Sequence, residues 1–85
     1  MSDRLRCNAP GGCGRWVVEI DRKRRAVLSV SYRTTFRVLR GGEWSRIVLD
    51  SPNGRSLADL PVECDAVEAD CRCGQRLAHH FPPHT

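Results

Sequence analysis

Alternation of apolar and polar residues is strongest over residues 26–40. There Leu28, Val30, Tyr32, Thr34, Phe36 and Val38 fall on one face, and Ser29, Ser31, Arg33, Thr35 and Arg37 on the other. A period of two belongs to a half-buried β-strand. The run is longer than an ordinary strand, so a bend or break is expected near residues 33–35. Upstream, residues 15–20 (RWVVEI) are β-branched and aromatic and read as a strand, and the charged run 21–25 (DRKRR) reads as a turn. Downstream, Gly41-Gly42 suits a two-residue hairpin turn because both positions tolerate positive φ, and residues 43–50 (EWSRIVLD) form the returning strand. The turn fixes a register: Arg40 opposite Glu43, Leu39 opposite Trp44, Arg37 opposite Arg46, Phe36 opposite Ile47. Phe36, Val38, Ile47 and Leu49 then share one face, so turn chemistry and hydrophobic pattern agree.

Periodicity fades after the hairpin. Residues 51–54 (SPNG) form a second strong turn signal. Residues 57–69 hold Leu57, Leu60, Val62 and Val67 without clean alternation; a short strand is expected around 60–64, and a helical turn near 65–69 is the weaker option. The end of the chain, residues 79–85 (HHFPPHT), is expected to be a flexible tail because its two prolines cannot join a ladder. The pattern as a whole predicts a mainly β fold, a small antiparallel sheet in one domain over residues 1–78.

Length changes this picture. A domain of 85 residues buries only roughly 60–65% of its unfolded surface, so a staple beyond the core is expected. Five cysteines supply candidates. Residues 1–10 are polar and no apolar run follows, so neither a signal peptide nor a membrane span is expected and the thiols are assigned to a reducing cytoplasm. Five thiols cannot all pair within one chain, which favours a metal over disulfides.

The cysteines bracket the chain. Cys7-Asn-Ala-Pro-Gly-Gly-Cys13-Gly14 stands near the start and Cys71-Arg-Cys73-Gly74 near the end, with Cys64 as a fifth thiol. Structural zinc takes four soft ligands at tetrahedral geometry, and close cysteine pairs on turns deliver them two at a time. Each pair is closed by glycine, which lets the chain wrap the ion and leaves backbone N–H groups free for the sulfurs. Two cysteine knuckles flanking β-structure resemble the zinc ribbon family. The resemblance covers the two knuckles and a generic β-rich middle; the spacings of five and one depart from the usual Cys-x-x-Cys. It implies a non-catalytic Zn2+-binding module of transcription, translation or replication, with metal-ligand roles on Cys7, Cys13, Cys71 and Cys73.

Other readings of these residues stand beside it. Cys64 is either an alternate ligand or a small buried hydrophobe on the strand before the second pair. His79 and His80 are alternate ligands too, as is His84, unless they belong to the solvated tail. Iron–sulfur ligation is the rival metal chemistry, and a redox dithiol is disfavoured because no Cys-x-x-Cys is present.

Charge adds a surface. The net charge is +4, but residues 1–46 hold eleven Lys/Arg against four Asp/Glu, whereas residues 47–85 hold three against six. The acidic residues Asp59, Glu63, Asp65, Glu68 and Asp70 cluster without a basic residue among them. Arg33, Arg37 and Arg46 with Trp44 on the non-core face of the hairpin suit phosphate contact and base stacking, and the 22–25 turn would extend that footprint. DNA or RNA, or the transcription and translation machinery of a bacterial or phage system, is therefore the first partner expected. The alternative is a small protein-binding adaptor or inhibitor that uses the acidic segment or the Leu39/Trp44 patch. No catalytic constellation and no phosphate-binding glycine loop is found, so an enzyme is not expected.

Overall fold

A computed structural model describes residues 2–8, 11, 13, 15–31, 34–47 and 61–83. The expectations at Arg33, Tyr32, Leu49, Leu57, Leu60, Asp59, His84 and the 51–54 turn lie outside those residues. The chain runs β1 (Ser2–Arg6), β2 (Trp16–Asp21), β3 (Ala26–Val30), β4 (Thr35–Arg40), β5 (Glu43–Ile47), β6 (Val62–Glu63), β7 (Ala66–Asp70) and β8 (Arg76–His80). All pairings are antiparallel, and they form two four-stranded sheets of order β1-β2-β3-β6 and β5-β4-β7-β8. The mainly β expectation holds, with two sheets in place of one.

The two sheets face each other across one core. Val17, Val18, Ile20, Val27, Val30 and Val62 come from the first sheet; Phe36, Val38, Val67 and Ala69 from the second. The long alternating run breaks where expected, between β3 and β4, because there the chain leaves one sheet for the other. The predicted face holds on both sides of the break, with Val30, Thr34, Phe36 and Val38 all buried, and fails only upstream. Ile20 faces Val27 while Glu19 faces Ser29, so Leu28 is an extra residue in a β-bulge. The bulge moves Val27 into the core and leaves Leu28 half-buried, the reverse of simple alternation.

The β4–β5 hairpin has the expected register at all four pairs: Arg40–Glu43, Leu39–Trp44, Arg37–Arg46 and Phe36–Ile47. Gly41 and Gly42 both take positive φ, 59° and 84°, the conformation of a type I′ turn. The return to the first sheet is abrupt. The Cys64 N–H donates to the Arg25 carbonyl at 2.9 Å, and the next N–H, of Asp65, donates to the Leu39 carbonyl at 2.7 Å. Two successive residues thus bond to different sheets.

Two expectations need correction. Residues 66–70 form a strand, not a helical turn. Ala66, Val67 and Ala69 have good or moderate helical propensity, but β7 lies between β4 and β8, where pairing on both sides overrides it. The tail does not begin at residue 79: His79 and His80 lie in β8, and Phe81 is buried in the core, its N–H donating to the Asp65 carbonyl at 3.0 Å. The strand ends at His80, and Phe81 enters the core ahead of the two prolines.

His79 has an energetic consequence. Its ring packs edge-on against Phe81 at 4.8 Å, and its Nε2 is buried without a partner among the described residues. Burial, with Arg22 and His80 adding to it and Asp3 opposing, holds its pKa below the usual histidine range. The unfolded chain therefore binds this proton more readily. The corresponding stability is complete above the unfolded value near 6.5 and is lost as pH falls through the lower folded value. His79→Phe is expected to reduce the slope of stability against pH between 7 and 5, by at most one proton's worth, about 1.4 kcal/mol per pH unit. Urea melts across that range, with His80→Phe as the comparator, measure it; equal slopes in the two variants would exclude His79 as the source.

Candidate metal centre

The first cysteine pair sits on the loop between β1 and β2. The Cys7 N–H donates to the Arg15 carbonyl at 2.7 Å, closing the loop directly after β1. Cys7 is fully buried and Cys13 half-buried. The second pair sits on the β7–β8 loop. There the Cys71 N–H donates to the Gln75 carbonyl and the Gly74 N–H to the Cys71 carbonyl, both at 2.8 Å, with Gly74 at φ +96°. A three-residue hairpin loop of this kind needs a left-handed residue at its last position, which is why glycine follows Cys73. Strand direction puts both loops at the same end of the two-sheet stack, one loop from each sheet.

The four sulfurs meet there. Cys7, Cys13, Cys71 and Cys73 place their Sγ atoms all within 4.8 Å of one another. Two separations cross between loops, 3.3 Å for Cys7–Cys73 and 3.6 Å for Cys13–Cys71, and none of the four sulfurs is in a disulfide among the described residues. Four thiolates about 2.3 Å from a central ion stand at the corners of a tetrahedron with edges of about 3.8 Å. The donor set and spacing fit one thiophilic ion: the cysteines are positioned to bind a metal. Backbone amides already serve the sulfurs. The Cys73 N–H reaches the Cys71 thiol and the Gln75 N–H reaches that of Cys73. The Gln75 amide, then the neighbouring thiols, draws the exposed Cys73 thiol down to about 7. Gln75 is a contributor that the sequence offered no signal for, beyond its place two residues after a cysteine.

The alternate ligands lie elsewhere. Cys64 is buried at the crossing between sheets, outside the four-thiol cluster, and burial followed by the charge of Asp65 pushes its thiol up to about 11. Cys64→Ala is expected to keep the full metal content and cost roughly 1–2 kcal/mol as a small core truncation. Metal analysis with a denaturation curve checks both; loss of metal would put Cys64 into the site. His79 and His80, on β8, are not part of the cluster either.

The hairpin surface differs in charge from its sequence. Arg37 reaches across β4 to β7, where Asp70 accepts from Nη1 at 3.0 Å and from Nη2 at 3.3 Å, and Glu68 accepts at 3.5 Å. Asp70 also accepts from Arg76 Nε at 3.2 Å. The acidic segment thus neutralises part of the basic one within the sheet. Trp44 remains 44% exposed and Arg46 is exposed beside it. Comparison with protein families, with curated proteins and with solved structures returns no match.

Proposed function

We propose that this chain is a non-catalytic zinc module of the zinc-ribbon type, in which one Zn2+ held by Cys7, Cys13, Cys71 and Cys73 ties the first sheet to the second. The observation carrying this reading is the meeting of four thiols from two hairpin loops within 4.8 Å. Four thiolates complete the tetrahedron, leaving no open position for a water or substrate, which favours structure over catalysis. Elemental analysis of purified protein tests it: one zinc per chain and no visible colour is the expected result. Iron with a visible absorption band would replace zinc by iron ligation, and no metal at all would remove the reading.

Of the two partner classes, a protein has the better support. A polyanion at the hairpin face would compete for Arg37 with Asp70 and Glu68, whose carboxylates already engage it. Among the described residues, what the face offers outright is the exposed ring of Trp44 beside Arg46, and such residues anchor protein contacts. Nucleic acid as the partner predicts binding that falls steeply between 50 and 200 mM salt and a slope that Arg46→Ala makes shallower. Binding of a protein partner that survives nuclease and moderate salt supports the adaptor reading.

A further inference from the structure

Among the described residues, the second sheet ends in a strand whose outer edge pairs with no other strand: β5 pairs only with β4. Arg40 and Glu43 flank the two-residue turn, and the closing pair of such a hairpin exchanges both backbone hydrogen bonds. Bonded pairs then alternate. Glu43, Ser45 and Ile47 turn their backbone groups toward β4, whereas Trp44 and Arg46 turn their N–H and C=O groups outward.

The other edges are protected more heavily than β5, which carries Glu43 and Arg46 but neither proline nor a shortened strand. β1 carries Asp3, Arg4 and Arg6 along its length, β6 is two residues long, and β8 runs into Pro82-Pro83. Charge, brevity and proline are the ordinary defences of an edge. β5 is five residues long and displays the exposed indole of Trp44.

The register also defines what would fit. Two rows cross the outer face of the sheet toward this edge: Ala78, Glu68, Arg37, Arg46, and His80, Ala66, Leu39, Trp44. In the first row Arg37 is engaged by Glu68 and Asp70, and Arg46 follows it as a second cation at the rim. A carboxylate across from Arg46 would give it the counter-charge that Glu68 gives Arg37 on the other side of the row, and an aromatic or apolar residue across from Trp44 would extend the second row. On the inner face, the half-buried Ile47 calls for a β-branched neighbour.

We infer that β5 is a docking edge for an extended segment of a partner protein, added antiparallel as a fifth strand, with an acidic residue against Arg46 and an aromatic one against Trp44. This rests on the protein-partner reading above and supplies its geometry. Backbone bonds to Trp44 and Arg46 provide the attachment, and the alternating side chains provide selection.

The test uses zinc-loaded, isotope-labelled full chain and a capped peptide, Val-Glu-Thr-Tyr-Lys, whose residues would oppose Ile47, Arg46, Ser45, Trp44 and Glu43 in that order. In the free protein the amides of Trp44 and Arg46 should exchange with solvent much faster than that of Val38. Peptide addition should slow them and shift their resonances. Arg46→Pro removes an outward N–H without removing a bond to β4, so it should abolish binding while the fold persists. Arg46→Glu should weaken binding about two- to fivefold, and a peptide with Lys in place of Glu should recover it. Trp44 and Arg46 amides already as protected as Val38 would show a covered edge and overturn the inference. Peptide shifts confined to other strands would overturn it too, while leaving a protein partner in place. Shifts on β5 from a mixed-sequence oligonucleotide but not from the peptide would overturn the protein-partner reading itself.

Discussion

Removing the metal, by chelation or by Cys71→Ser, should abolish cooperative folding. An 85-residue domain is expected to have about 4–13 kcal/mol of stability, whereas structural zinc contributes about 10–16 kcal/mol at pH 7. The second quantity is as large as the whole of the first. Placement makes the dependence stronger. The two loops belong to different sheets, so an ion held by both would add a link between the halves beyond the two chain crossings, β3 to β4 and β6 to β7. Cys7 and Cys71 are buried and can remain as small apolar residues without metal; Cys13 and Cys73, less buried, should separate first. Unfolding on chelation is therefore expected to start at the loop end and spread along β1 and β8. Because the ligands bind as thiolates, acid should release the ion and reproduce the effect. Thermal melts of chelated protein, verified metal-free, are the measurement. A sharp transition with native-like amplitude would show that the core suffices and that the site is not structural.

How far the fold was legible depends on whether a signal was local. The β4–β5 register could be read because Gly41-Gly42 fixes the turn and Phe36, Val38 and Ile47 independently demand the same face. The four-thiol set could be read because each pair is compact and closed by glycine, and because Cys64 stands apart from both. β1 gave no comparable signal. Its sequence is Ser-Asp-Arg-Leu-Arg, and it is held mainly by its neighbour: Ser2 and Arg4 bond to Glu19 at 3.2 Å, Asp3 pairs with Arg22, and Leu5 alone packs on the core. An edge strand stabilised across the ladder looks like a polar leader when read along the chain. The same limit hid the partner of Arg37, since nothing local says that β7 will lie beside β4. The Leu28 bulge shows the converse case: a clean period of two was visible, and one inserted residue reversed it at Val27 and Leu28 while Val30, Thr34, Phe36 and Val38 kept it.

Phe36→Ala is the substitution expected to cost most outside the metal centre. Phe36 is the largest fully buried side chain among the described residues and lies on the inner face of β4, between Ile47 on β5 and Ala69 on β7. Truncating a buried phenylalanine typically costs about 3–5 kcal/mol, the lost transfer energy plus the cavity left behind. β4 is central in its sheet, so collapse around the cavity would have to move two pairings at once, which places the expected value toward the upper end. At about 4–8 °C per kcal/mol for a domain of this size, the zinc-loaded variant should melt at least about 12 °C below the parent. Trp44→Ala, on the same hairpin but exposed, should change stability by no more than about 0.5 kcal/mol. The contrast separates core from docking edge on a single pair of strands. If Phe36→Ala and Trp44→Ala melt together, the hairpin does not face the core in the register described, and the docking surface assigned to its outer side loses its basis. If they separate as expected while both retain one metal per chain, the loss at Phe36 comes from the core and not from the loop end, and the Trp44 side chain can serve binding with little bearing on the fold.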